Sequence, residues 1–185
     1  WKQVSNKYKI RPHISNSFKA TNSVLPSFYH LVKTHKQGSE IKIRPIVSSI
    51  DSPSWRLCFL VNKILKPILQ HIPAHLENSQ TLLNSIFDIQ SNTLSHSNYP
   101  FSLDVCALYT SIPIDDAISV LRHFLSTLNN FNSLFSVNDI CLLTEVILKN
   151  SYFVYNLKTF YQFSGLPMGC NISSIVAITF MNSIE

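Results

Sequence analysis

Glycine is almost missing from this chain: three occur in 185 residues, at positions 38, 165 and 169. That excludes a phosphate-cradling loop of the form G-x-x-x-x-G-K-[ST], which the sequence does not contain. Cysteine is equally sparse. The four residues, Cys58, Cys106, Cys141 and Cys170, form no C-x-x-C pair, so neither a zinc knuckle nor a disulfide framework is suggested. They read as four small buried hydrophobes of a reducing compartment. Long apolar runs are missing too. Stretches such as Ile175-Val176-Ala177-Ile178 are far too short to span a bilayer, and no basic-then-apolar signal segment opens the chain, so no membrane partner is expected. His71 and His75 have the i, i+4 spacing of a ligand pair, but Pro73 between them breaks a shared helix face.

Acidic residues are lacking at one end. Residues 1–44 carry nine Lys or Arg and one acid, Glu40, whereas the rest of the chain carries six Lys or Arg and nine acids. The overall charge of +5 thus hides a strongly basic front, which suits an anionic partner such as nucleic acid. Apolar residues make up 45% of the chain and charged residues 14%, the balance of a globular protein and not a disordered one. The chain opens at Trp1 and stops at Glu185 inside an expected helix, so both ends read as cuts in a longer polypeptide.

Hydrophobic spacing sets the expected elements. Residues 1–25 are polar and aperiodic and read as an extended arm. Phe28 to Val32 and Ile41 to Val47 make a basic hairpin, with Lys42 and Arg44 alternating to one face. Ser52-Pro53 opens a helix through Leu69, and a second, from about Ser79 to Ile89, is expected to bury Leu82, Leu83, Ile86 and Phe87. Phe101 to Val105 reads as a short, half-buried strand. Pro113 with Asp115 and Asp116 starts the next helix, and Ser136 caps another. Tyr152 to Phe163 reads as a hairpin turning at residues 156–158, and Ser173 to Ile184 as a last apolar helix. The order places the chain in the α+β class.

Three groups of residues could carry chemistry. Asp104 lies among apolar neighbours at a strand end, where a carboxylate calls for a partner, a metal ion or a cleft. A hard ion such as Mg²⁺ takes one or two carboxylates plus substrate phosphates, and the carbonyl of Val105 offers a further oxygen. A capped or salt-bridged aspartate explains the same residue without a metal. Gly165-Leu166-Pro167-Met168-Gly169 holds two of the three glycines just before a helix, so its backbone can approach a ligand or a base pair closely. An ordinary helix-entry loop also fits. Lys33, Lys36, Lys42 and Arg44 on the hairpin suit phosphate contacts, or a solvated basic face.

In order, these pieces resemble the reverse transcriptases of Penelope-like retroelements. His30-Leu31-Val32-Lys33-Thr34-His35-Lys36 is similar to that family's basic K-T-H-K block. Ile43-Arg44-Pro45-Ile46-Val47-Ser48-Ser49-Ile50 with Ser52-Pro53 resembles its R-P-I-V-S-S block of the fingers. Ser102-Leu103-Asp104-Val105 through Leu108-Tyr109-Thr110-Ser111-Ile112-Pro113 resembles palm motif A. Gly165 to Ser173 resembles motif B, with Cys170-Asn171-Ile172-Ser173-Ser174 where that motif runs S-P-L-S-P.

The resemblance implies a right-hand polymerase: an arm over 1–25, fingers over 26–99 and a partial palm over 100–185. It implies RNA-directed DNA synthesis on an RNA template and DNA primer from dNTPs, with two Mg²⁺ ions held by Asp104 and the Val105 carbonyl. Arg44 and Lys36 hold the triphosphate, Tyr109 lies under the sugar and excludes a 2′-OH, and Met168 and Gly169 lie against the templating pair. Lys33, Lys42 and Gly165 contact nucleic acid. It further implies retrotransposition by target-primed synthesis in the nucleus, with the remaining palm, a thumb and an endonuclease domain on the same polypeptide. The family's second metal block, Tyr/Phe-x-Asp-Asp, follows motif B. No Asp-Asp lies beyond residue 116 here, so the fold is expected to be truncated before that hairpin and the piece to be inactive alone. The alternative is a decayed, non-catalytic nucleic-acid-binding remnant. An aspartyl-phosphate enzyme is disfavoured, because Cys106 stands where a second acid belongs, and a plain helical interaction domain leaves the four ordered blocks unexplained.

Overall fold

Apolar residues recurring every three or four positions commit three stretches of this chain to helices with one buried face each. A computed structural model of the protein describes residues 1–33, 41–92, 101–128, 131 and 134–185, with only the backbone described at 88–92. Two short helices come first, α1 (Lys2–Lys7) and α2 (Pro12–Ser17). The hairpin β1 (Phe28–Val32) and β2 (Ile43–Val47) follows. Next are α3 (Trp55–Leu65), a 3₁₀ turn over Lys66–His71, and α4 (Ser79–Asn92). A single turn α5 (Leu108–Ser111) leads to α6 (Ile114–Thr127) and α7 (Val137–Lys149). The hairpin β3 (Tyr152–Tyr155) and β4 (Lys158–Tyr161) precedes α8 (Ser173–Met181). The mixture is α+β, with two separate antiparallel hairpins among the described residues.

The core forms where α6 packs on α7 and α8 and α3 packs on α7. Val61, Leu65, Leu121, Leu125, Ile140 and Val176 are fully buried there. α8 is apolar nearly all round, as a helix enclosed on several sides must be. Its Thr179, like Thr144 of α7, donates its hydroxyl to the carbonyl four residues back, which makes burial of that hydroxyl tolerable. Local signals explain the boundaries. Ser136 caps α7, its Oγ accepting from the Asp139 N–H. Asp115 and Asp116 sit in the first turn of α6. Asn156 and Leu157, with φ of 48° and 61°, make a two-residue turn of the kind that matches strand twist, so Lys158 already belongs to β4.

Four expectations are corrected. Residues 1–25 are not wholly an extended arm. α1 lays Val4, 2% exposed, into the core, and Tyr8 and Lys7 both donate to Asp139 Oδ2 at the start of α7. Residues 101–105 form no strand and are exposed, Phe101 and Leu103 each to 85%. A strand needs a neighbour to take its backbone hydrogen bonds, and no described residue exchanges a backbone hydrogen bond with this segment. α4 forms where its spacing requires, but Leu82, Leu83, Ile86 and Phe87 are all exposed, because no described element covers that face. Of the four cysteines, Cys106 is exposed and three are buried.

The Asp139 anchor makes a testable point. Its carboxyl is held down to about 2 from 3.8 by the Lys7 ammonium first, then by the hydroxyls of Ser136 and Tyr8. A carboxyl depressed on folding contributes stability that is complete above its unfolded value and lost as pH falls towards its folded one. The contribution is therefore expected in full above about pH 4 and to fade towards pH 2. Asp139→Asn is expected to lower unfolding free energy at pH 7 by on the order of 1–3 kcal/mol and to flatten the acid limb of the stability curve. Urea titrations at several pH values check this; equal acid dependence in both proteins would contradict it.

Candidate functional site

The five-residue stretch 165–169 is held between two other parts of the chain, and glycine makes both contacts possible. Gly165 has φ of +78° and lies against the Tyr109–Thr110 turn; a Cβ there would come within 2.7 Å of Thr110 Cα and 2.9 Å of the Tyr109 oxygen. The Leu166 N–H donates to that same Tyr109 oxygen at 2.6 Å. At the other end, Gly169 has φ of +107°, and a Cβ would come within 2.9 Å of the Val47 carbonyl carbon and closer still to its oxygen. The Val47 N–H donates to the Met168 carbonyl at 2.8 Å, and the Ser49 hydroxyl donates to the Gly169 carbonyl at 2.9 Å. The end of β2, the α5 turn and the 165–169 loop are thus joined by backbone contacts that side chains would block.

A cavity of about 240 Å³ opens at this junction, with Phe28, Pro45, Thr110, Phe153, Gln162 and Met168 among its walls. Gln162 was not singled out by its sequence context. Its amide donates to the carbonyls of Ser164 and Gly165, both at 3.1 Å, and so braces the entrance to the loop. A lone glutamine in an aromatic strand end was the available signal. The two hairpins meet here as well: the Val154 N–H donates to the Pro26 carbonyl at 2.7 Å, and the Phe28 ring packs on Phe153 and Tyr155.

Of the sequence-selected residues, Tyr109, Gly165, Met168 and Gly169 come together, and Arg44 lies on the strand that reaches them. Tyr109 and Met168 are half-buried. Arg44 on β2 and Lys42 just before it are exposed, and the Lys33 N–H extends the hairpin by donating to the Lys42 carbonyl at 2.8 Å. Lys36 lies outside the described residues. Asp104 and Val105 are exposed rather than half-buried, and Asp104 makes no hydrogen bond or ion pair among the described residues. The chain then reverses at Ala107, a left-handed residue with φ of 53°, whose carbonyl accepts from the Thr110 and Ser111 backbone and hydroxyl groups.

Asp104 offers a divalent ion one carboxylate, open to solvent. Among the described residues no group of three His, Cys, Asp or Glu side chains converges, so these residues do not by themselves fit a pair of metal ions. Among the same residues no helix is long and apolar enough to cross a membrane.

A family model described as "Reverse transcriptase (RNA-dependent DNA polymerase)" matches residues 32–185. No curated protein matches the chain.

Proposed function

The chain belongs to the reverse transcriptase (RNA-dependent DNA polymerase) family, and from that premise we propose that it is the fingers and first part of the palm of a Penelope-like retroelement polymerase. The observation that carries this reading is the double strap on the 165–169 loop. One strap goes to the Tyr109 turn and one to β2, so the 165–169 loop, the turn bearing Tyr109 and the strand bearing Arg44 are joined by backbone contacts. In this reading residues 26–99 are fingers and 100–185 palm. Arg44, with Lys36, grips the triphosphate of the dNTP, Tyr109 faces its sugar, and Met168 and Gly169 back the base pair. Lys33 and Lys42 meet phosphates of an RNA template or DNA primer, and the site of action is nuclear.

Asp104 is one of the carboxylates that would hold catalytic Mg²⁺, and a second would have to come from an Asp-Asp hairpin that residues 1–185 do not contain. Ions held by Asp104 and that second carboxylate would supply Lewis acidity at the primer 3′-OH and at the leaving pyrophosphate. What the residues of this chain contribute is position. Arginine's fork holds phosphate oxygens bidentately, and the strapped loop presents a fixed backbone surface to the nascent pair.

Two measurements test the proposal. The 185-residue chain is expected not to extend an RNA-templated DNA primer with Mg²⁺, since one carboxylate does not hold two ions; extension would sink the reading of an incomplete site. Binding of a labelled RNA–DNA duplex, followed by fluorescence anisotropy against salt, is expected to weaken steeply as salt rises. Lys33→Gln and Lys42→Gln should each flatten the slope of log K on log salt by about one. Unchanged slopes would remove the hairpin from the nucleic-acid interface. Asp104, exposed and without a partner among the described residues, also suits a binding module that has lost its chemistry, and the effect of Asp104→Ala on turnover separates the two.

A further inference from the structure

Two cysteines 112 residues apart in sequence meet in the core. Cys58 of α3 and Cys170, directly after the strapped loop, have their sulfur atoms 3.5 Å apart. Cys58 is 0% exposed and Cys170 8% exposed. The slight opening at Cys170 has a definite outlet. Its side forms part of the wall of a cavity of about 450 Å³, shared with Ser49, Leu57, Ile147, Tyr152 and Pro167, with ample room for a molecule the size of a peroxide. Cys58 is not part of that wall. The Cys58 thiol is held below its ordinary value chiefly by the hydrogen bond with Cys170, with help from the N–H groups of Ile172 and Asn171, while the same partner keeps Cys170 protonated. Cys170 thus borders a cavity, whereas Cys58 lies wholly behind it.

We infer that Cys58 and Cys170 form a dithiol that a hydroperoxide entering the 450 Å³ cavity converts to a disulfide, a modification site that pins α3 to the loop of the functional site. The steps balance. The Cys170 proton passes across the sulfur–sulfur hydrogen bond to Cys58, the Cys170 thiolate so formed attacks the peroxide, the O–O bond breaks, and Cys170 sulfenic acid and, with a proton from solvent, an alcohol (water, for hydrogen peroxide) result. The Cys58 thiolate then attacks the Cys170 sulfur. The S–S bond forms, the S–O bond breaks, and hydroxide leaves as water with the proton Cys58 gave up. The two thiols lose two electrons, and the peroxide gains them. Closure draws the sulfurs together by about 1.5 Å, a movement open to Cys170 because it lies before α8 in a turn and not within a helix. Cys141 is a built-in control: it is buried, is not part of the cavity wall, and has its thiol raised by desolvation to about 11.

The test uses the chain with Cys106→Ser, which removes the exposed thiol, and does not depend on polymerase activity. After hydrogen peroxide treatment, blocking of free thiols under denaturing conditions, and digestion, a peptide linking Cys58 to Cys170 is expected. The intact mass should fall by two hydrogens, with Cys141 still free. The thermal midpoint should rise by about 10 °C, from closure of so long a loop in a chain of this size, and return on reduction. Neither the rise nor the link should occur in Cys58→Ser or Cys170→Ser. If those variants do not fold, the linked peptide from the Cys106→Ser chain decides alone. Sulfinic or sulfonic acid on Cys170 with Cys58 still alkylatable would overturn the inference. So would two unreacted thiols at a peroxide dose that oxidises Cys106 in the parent chain.

Discussion

Replacing Gly169 with alanine is expected to destabilise the protein by about 3–5 kcal/mol, the upper range for a single substitution. Two costs combine. The backbone there has φ of +107°, which L residues rarely adopt. The new methyl would also press on the Val47 carbonyl, a backbone group held by the register of β2 with β1 and unable to swing aside as a side-chain tip can. Relief requires β2 and the loop to part, which breaks the bonds from Val47 to Met168 and from Ser49 to Gly169. Gly165→Ala meets the Tyr109–Thr110 backbone and should behave similarly, since its Cβ would lie 2.7 Å from Thr110 Cα. Denaturant unfolding of both variants checks this. A loss below about 1 kcal/mol at Gly169 would mean that the strap is loose, and the case for one rigid body at the site would go with it.

Asp104→Ala gives the opposite pattern: a large functional effect with almost no structural one. Asp104 is exposed and makes no hydrogen bond or ion pair among the described residues, so its removal should change unfolding free energy by no more than about 0.5 kcal/mol. In a polypeptide that also carries a second metal-binding carboxylate, as proposed above, the same substitution would remove a metal ligand. Single-turnover primer extension is expected to fall by roughly 10³-fold or more, since the ion's Lewis acidity and the charge it neutralises are lost together. Asp104→Asn should do nearly the same, because a neutral amide oxygen is a poorer ligand for a hard ion. Duplex binding at matched salt should stay within a few-fold, as the basic hairpin supplies it. If extension persists at the parental rate, Asp104 has no catalytic role. If the longer parental protein binds but never extends, the remnant reading replaces the polymerase one.

How much of this could be read without coordinates varied by element, for physical reasons. The β3–β4 turn, the Ser136 cap and the acidic start of α6 were legible because each is decided by a few adjacent residues. The strand expected at 101–105 was not, because alternating apolar residues form a strand only beside a partner strand, and none is described there. α4 shows the same limit from the helix side. The spacing of Leu82, Leu83, Ile86 and Phe87 specified the helix but not whether anything would cover it. Residues 1–25 misled in the other direction. They lack periodicity, yet Val4 is enclosed and Lys7 and Tyr8 reach Asp139 more than 130 positions away.

The sequence by itself determined the chemistry on offer: a basic hairpin, one aspartate in a polymerase-like block, and two glycines spaced four apart before an apolar helix. It also determined most helix boundaries, because caps, turns and periodicity act within a few residues. Only the tertiary structure decided why those glycines are needed, which is that Gly165 and Gly169 each touch the backbone of a distant segment. It alone left Asp104 open to solvent and brought Cys58 within reach of Cys170. The division follows from the range of the forces. Propensity and capping are local, whereas close approach and burial depend on which distant surfaces meet, and the core of α3, α6, α7 and α8 decides that as a whole.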